Sequence, residues 1–403
     1  MGLRIIITAP TPPFLMETLT QKGYEVIYEP AITYEALSNI VDTATGLIVT
    51  TRLKIDQSII NAATQLKWIG RIGSGMELID TEFAASKNIQ CFSTPEGNCT
   101  TVGEHTLGLL LSLMNRIASA YTQIKNGQWI RDANRADELT GKTVGIIGLG
   151  HTGGAFAKVL SGFDVKILAH DIYKTNFDTA QIKQASLQQI QTEADVISLH
   201  LPLTELTHHY ANDSFFNACI QKPYFLSTCR GAVTNTDALL KALQNQLVRG
   251  VGLDVLENEQ LDSYTPSEQA RLKALTAYPN FILTPHIGGS TEEAQQNIGE
   301  DVSIKLFQYL ERGITNGSHS VPSIALPPVE GAHRILHMHN NVPGVLSAIN
   351  TALSKNNINI VGQYLKTNEE IGYVVLDVDT KLSKRALELL KEVKETIKVR
   401  MLY

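Results

Sequence analysis

Little in this chain of 403 residues points toward a membrane, an oxidising compartment or a nucleic acid. Its four cysteines, Cys91, Cys99, Cys219 and Cys229, form no C-x-x-C pair and no dense framework. In a chain this long that pattern means free thiols and a cytoplasmic protein. Apolar runs are short: residues 107–111 are typical of the longest, far below the roughly 20 residues of a membrane span. The opening Leu3-Arg4-Ile5-Ile6-Ile7 is too brief for the apolar part of a secretory signal and fits a first buried strand. A basic excess is missing, since the net charge is -6, so no broad footprint for nucleic acid exists and any anion site must be local. Histidines and cysteines show no ligand spacing, so no metal is expected, and no internal repeat is visible. What is present is ordinary globular material, 43% hydrophobic and 18% charged, enough for two or three domains of about 100–200 residues each.

Short apolar strands at 5–8, 46–50 and 68–72 alternate with helical segments at 58–64 and 81–87, a small α/β lobe. Residues 101–125 read as one long helix, apolar on more than one face and so suited to burial on several sides. From 142 to 286 the alternation is regular. Near-continuous apolar strands at 144–147, 165–169, 196–199, 224–227, 251–255 and 281–283 are those of a doubly wound parallel sheet. A helix at 292–312 can return to the first lobe and make it discontinuous. Pro322, Pro327, Pro328 and several serines mark a semi-rigid linker at 317–330. Beyond it the order is βαββαβ, a ferredoxin-like domain. The expected division is 1–99 with 287–316 as substrate lobe, 100–286 as dinucleotide domain, and 331–403 as a C-terminal domain for sensing or assembly.

The chemistry sits at strand ends. Gly148, Gly150 and Gly153 follow a strand and open a helix at GxGxxG spacing, and Asp171 lies 18 residues past Gly153 at the end of the next strand. That context reads as a dinucleotide turn. The glycines allow close backbone approach to a pyrophosphate, His151 and Thr152 open the helix, and Asp171 accepts from a ribose, favouring NAD over NADP. Lys174 softens that exclusion. Arg230 follows a strand, where its guanidinium can fork onto a carboxylate, although a lone arginine there is as often a surface ion pair. His286 ends another strand, with Glu259 27 residues earlier in a loop able to fold toward it. A carboxylate beside an imidazole suits proton transfer, although a single strand-end histidine is commonly structural. His200 ends a strand and borders the expected cofactor. His105, His170, His208 and His209 have no paired context.

Together, Gly73-Ser74-Gly75 with Ile79-Asp80, the glycine turn, Cys229-Arg230-Gly231, Gly252-Leu253-Asp254-Val255 and the stretch 284–289 resemble the D-isomer-specific 2-hydroxyacid dehydrogenase family over almost the whole chain. Within the family, the chain resembles the branch with a C-terminal ACT domain. The resemblance implies two Rossmann-like lobes plus an ACT domain, with NAD as cofactor. Arg230 would hold the substrate carboxylate, Glu259 tune the histidine, and His286 act as acid/base. Asp254 would lie near the nicotinamide, and Ser74 and Gly75 would receive the carboxylate. Segments 337–346 and 358–364 are similar to serine-binding ACT domains, which implies L-serine at His339, Asn341 and Asn359. From the residues alone, Asn341 before a helix start suits a carboxylate or a helix cap.

Two departures stand out. Glu259 is followed by Gln260 where the family often has proline, and Thr50 replaces a phosphate-gripping arginine, leaving Arg52, with Arg131 and Arg135 near Trp129 as further candidates. The reaction implied is NAD-dependent oxidation of 3-phospho-D-glycerate, the entry to serine synthesis, in a homo-oligomer paired through the dinucleotide domain and again through the ACT domain. Two other readings compete: a dehydrogenase of an unphosphorylated or other D-2-hydroxy acid, and a dinucleotide-sensing interaction protein without turnover.

Overall fold

A computed structural model describes residues 3–403, so the first two residues of the expected substrate lobe lie outside the described residues. The chain divides into two compact units, one of residues up to Gly97 joined by Gln295–Tyr403, the other Asn98–Ala294.

In the first unit, β1 (Arg4–Ile7), β2 (Glu25–Tyr28), β3 (Gly46–Val49), β4 (Trp68–Arg71) and β5 (Gln90–Phe92) form a parallel sheet in the order β2-β1-β3-β4-β5. Ile5, Ile6 and Ile7 are wholly buried, as strands covered on both faces must be. Each such side chain stabilises by about 1.5–3 kcal/mol. The late helix Glu292–Arg312 does return: Ile298, Val302 and Leu306 pack with Ile5, Ile7, Leu15 and Trp68 in one core.

The second unit is a seven-stranded parallel sheet. Its strands are β6 (Thr143–Ile147), β7 (Lys166–His170), β8 (Ile182–Gln184), β9 (Val196–Leu199), β10 (Tyr224–Ser227), β11 (Gly250–Leu253) and β12 (Phe281–Leu283), in the order β12-β11-β10-β9-β6-β7-β8. Strand order reverses between β6 and β9, the place where open α/β sheets bind ligands beyond their carboxyl ends. Edge strand β8 escaped the sequence reading because its residues are mostly exposed. The expected single helix over 101–125 is two, Cys99–Met114 and Ile117–Lys125, broken where Arg116 takes φ 54°. The first half buries Leu109, Leu110, Leu113 and Met114, whereas the second buries nothing.

Within the first unit, β13 (Ala332–Asn340), β14 (Ile360–Thr367), β15 (Ile371–Asp379) and β16 (Thr396–Met401) form an antiparallel sheet ordered β14-β15-β13-β16, carrying helices Val345–Lys355 and Ser383–Lys391. This is the βαββαβ domain. Its Arg334, only 1% exposed, is bidentate to Asp377 at 2.8 Å and also donates to the carbonyls of Arg312, Leu326 and Pro327. The linker begins as a strap on edge strand β5. Ser318 bridges Phe92, His319 N–H donates to the Cys91 carbonyl at 2.8 Å, and the Cys91 N–H donates to Ser320 Oγ.

Candidate active site

Strands β10, β11 and β12 are neighbours with Ser227, Leu253 and Leu283 in register. The residues leaving their carboxyl ends therefore emerge side by side, and these are Arg230, Asp254 with Glu259, and His286. Gly231 permits the close approach that sets the arginine's turn, because a Cβ there would strike the Leu256 carbonyl and the Glu257 nitrogen. Arg230 extends from that turn and donates one Nη1 bond to the Cys229 carbonyl at 2.7 Å. Cys229 itself is buried beside Ser227, consistent with a bystander thiol.

His286 Nδ1 lies 2.9 Å from Glu259 Oε2, which leaves Nε2 as the nitrogen able to face a substrate. The Glu259 hydrogen bond raises the imidazole above its ordinary range. Burial works against this, the charges of Glu259 and Asp254 add to it, and the guanidinium of Arg230 opposes it. Those opposing charges are felt at one ring, so the three residues share one electrostatic neighbourhood. The Glu259 loop is pinned by Asn258, whose Oδ1 accepts from the Gln260 N–H at 3.0 Å while its carbonyl accepts from Tyr264 Oη. A proline at 260 could not make that first bond. An Asx turn thus does the work of the missing proline.

The backbone at His286 has φ 55°, a region costly for a residue with a Cβ. Asp254, 2% exposed, holds it there. The Asp254 carbonyl accepts from His286 N–H, Oδ1 from Ile287 N–H and Thr284 Oγ1, and Oδ2 from Gly288 N–H, at 2.6–2.9 Å. Burial disfavours the Asp254 carboxylate, yet these bonds and His105 hold it below its usual range. Asp254, which the resemblance places near the nicotinamide, also anchors the turn that carries His286.

At the switch point Gly148 takes φ 92°, and a Cβ on it would meet the His200 carbonyl. A Cβ on Gly153 would meet the Gly148 carbonyl. Gly150 differs, with nothing within 4 Å of its missing Cβ. The protein's own packing does not demand glycine there, which suits room kept for a ligand. The helix His151–Val159 that follows has no side-chain cap, so its first N–H groups and dipole suit a pyrophosphate. The residues present fit a dinucleotide. Asp171 Oδ2 accepts from Leu149 N–H and Oδ1 from Tyr173 and Lys174 N–H, all at 2.9 Å. Burial opposes this carboxylate, but those bonds and Lys174 keep its pKa low. His200 has its ring turned inward, bonded to Ser198 Oγ and against Phe156, and burial pushes its pKa down to about 3. It shapes the turn through its carbonyl.

In the first unit, Gly73 (φ 124°) begins the Ser74-Gly75 loop after β4, and Arg71 Nε donates to the Gly75 carbonyl at 3.0 Å. Arg52 donates to the carbonyls of Thr8 and Ile32, so much of its guanidinium is occupied within its own lobe. Arg131 and Arg135 are exposed. On the C-terminal sheet His339 is buried with Nδ1 on the Asn340 carbonyl, while Asn341 and Asn359 are exposed. The helix-cap reading of Asn341 fails: Gly344 holds the cap position, and the Asn341 amide donates to the Asn368 carbonyl at 2.6 Å.

The sequence reading also passed over two histidines that the structure pairs. His209 meets Glu257, which in turn accepts from the N–H of Thr236 at a helix start. His105 meets Thr284 and Asp254. An imidazole on a helix that buries most of one face was the available signal for the second.

Residues 107–288 match the family model described as D-isomer specific 2-hydroxyacid dehydrogenase, NAD binding domain. Residues 335–400 match an AHAS small subunit-like ACT domain. Among curated proteins the chain is 34% identical to a D-3-phosphoglycerate dehydrogenase of Haemophilus influenzae and 32% to that of Escherichia coli, each over 96% of this chain and 94% of the relative. A solved D-lactate dehydrogenase from Aquifex aeolicus, complexed with NAD and lactic acid, is 27% identical with a TM-score of 0.68, over 79% of this chain and all of that one. The chain therefore belongs to the D-isomer-specific 2-hydroxyacid dehydrogenase family, as an NAD-dependent dehydrogenase with an ACT domain.

Proposed function

We propose that the enzyme oxidises 3-phospho-D-glycerate to 3-phosphohydroxypyruvate with NAD, the first step of L-serine biosynthesis in the cytoplasm. The observation that carries the substrate is likeness to phosphoglycerate dehydrogenases along nearly the full length of both chains, ACT domain included. NAD, which the glycine turn of Gly148, Gly150 and Gly153 and the carboxylate of Asp171 would hold, would supply the acceptor for the hydride from C2. Arg230 orients the substrate carboxylate. His286 Nε2 takes the hydroxyl proton, and Glu259 stabilises the imidazolium that results. Arg131 is the better candidate for the phosphate, since Arg52 already serves two carbonyls. The same occupancy of Arg52 favours a second reading, oxidation of an unphosphorylated D-2-hydroxy acid. Steady-state NAD reduction across a panel of 2-hydroxy acids separates the two: the first reading fails if 3-phosphoglycerate is not the preferred substrate.

Serine feedback at His339, Asn341 and Asn359 belongs to the same proposal, and serine titration of initial rates tests it. The proposal also includes a homodimer through the second unit. Helix Ile117–Lys125 buries no residue and exposes Ile117, Tyr121 and Ile124 at helical spacing, followed by Trp129 at 88% exposure. A stripe of that kind calls for a partner, here a second copy, with tetramers formed through ACT domains. Light scattering on a Tyr121→Ser/Trp129→Ser variant should report a smaller species; an unchanged mass sinks this interface.

A further inference from the structure

Behind the turn that carries His286 stands a second imidazole. His105 projects from the helix Cys99–Met114, and its Nε2 lies 3.0 Å from Thr284 Oγ1 and 3.4 Å from Asp254 Oδ1. The tautomer follows from the hydrogen count. Thr284 spends its hydroxyl hydrogen on Asp254 Oδ1 at 2.6 Å, so at the 3.0 Å contact His105 must be the donor, from Nε2–H, and Thr284 Oγ1 the acceptor. Asp254 in turn holds the backbone of Ile287 and Gly288. Gly288 leaves room for this ring: a Cβ there would lie 2.8 Å from Asp254 Oδ2 and 3.4 Å from His105 Cδ2. The positive φ of His286 is thus fixed by a chain running from His105 through Thr284 and Asp254 to the residues on either side of the imidazole.

We propose that His105 is a positioning residue for proton transfer, locking the 284–288 turn so that His286 stays in its strained conformation with Nδ1 on Glu259 and Nε2 toward the substrate. Its contacts are to Thr284 and Asp254, so it acts on His286 through them. The inference rests on the assignment of His286 as acid/base. The groups that set the charge around these two rings are Asp254 beyond β11, Glu259 in the following loop and Arg230 beyond β10.

Removing the Nε2 donor frees Thr284 to turn and lets the Asp254 carboxylate relax, so His286 drifts from Glu259. Misplacement of a reacting group by about 1 Å costs on the order of a hundredfold in rate. The test compares His105→Ala, His105→Gln and His286→Ala in the full-length protein. The readouts are kcat and KM against pH, NAD affinity by fluorescence titration, and thermal unfolding. His105→Ala should lower kcat by about tenfold to a hundredfold, displace the acidic limb of the oxidation profile and leave NAD affinity as in the parent. His105→Gln, which returns an N–H donor at similar reach, should recover most of that loss. Parental kcat and an unmoved limb in His105→Ala, beside an inactive His286→Ala, overturn this inference alone. So does a loss that tracks the unfolded fraction, with no shift of the limb and no recovery by glutamine. An active His286→Ala overturns the acid/base assignment and this inference with it.

Discussion

Glu259 reaches across 27 residues of chain to place its Oε2 2.9 Å from Nδ1 of His286, whose backbone is held at a positive φ. That contact raises the imidazole pKa, so in the free enzyme a larger share is imidazolium at neutral pH. Oxidation needs the neutral ring. Its kcat/KM should therefore rise with pH through the raised pKa, and reduction of the 2-oxo acid should fall through the same range. Glu259→Gln removes the largest raising influence, so both limbs should move to lower pH. Unmoved limbs would detach Glu259 from this role.

His286→Ala should lower turnover by roughly 10²–10⁴-fold, the usual weight of a general acid or base. NAD should still bind as in the parent, because the glycine turn and Asp171 lie on other strands. Near-parental turnover would remove His286 from the chemistry.

Asp171→Ser should narrow the preference for NAD over NADP, measured as the ratio of kcat/KM values and as dissociation constants. Two effects combine. The charge that repels a 2′-phosphate is lost, and Lys174, now bonded to the Leu149 carbonyl at 2.6 Å, is left as the nearest charge. An unchanged ratio would free Asp171 of that function.

Gly231→Ala should weaken the hold on the substrate carboxylate, since the new Cβ meets the Leu256 carbonyl and the turn bearing Arg230 must shift. The expected signature is a raised KM with a stability loss of about 1–3 kcal/mol, the usual cost of overpacking. Parental kinetics would show that the turn tolerates displacement.

Asp377→Asn should destabilise the protein by about 3–5 kcal/mol, because a guanidinium as buried as that of Arg334 is left without its counter-charge. An Arg334→Met/Asp377→Leu double variant should lose less. Urea unfolding followed by tryptophan fluorescence compares them, with Trp68 buried in the first unit as reporter.

The parts legible in the sequence are those with a period or a fixed spacing. Fully apolar runs such as 144–147 gave the parallel strands, and three glycines with Asp171 located the switch point. The Arg230, Glu259 and His286 trio was reachable because each follows a strand, and parallel strands end on one side. Illegible features depend on single atoms meeting across long separations. The break at Arg116 has no glycine or proline to mark it, only a left-handed residue that Arg116 accepts as the chain leaves the core. The bonds of Asp254 to Thr284, Ile287 and Gly288 could not be read locally, because their partners lie 30 or more residues away. His105 looked unpaired for the same reason, and Arg52 looked available because nothing local reveals the carbonyls of Thr8 and Ile32.

A segment stitched to a sheet edge cannot act as a swivel. Residues 318–320 lie along β5, and the buried guanidinium of Arg334 clasps the end of the Glu292–Arg312 helix, so the C-terminal sheet and the first lobe meet through a stiff arm. A displacement of that sheet would therefore be carried to β5 and to this helix. A protease that readily cuts open tethers should accordingly leave the two joined, and prompt release of an intact C-terminal fragment would argue for a loose connection instead.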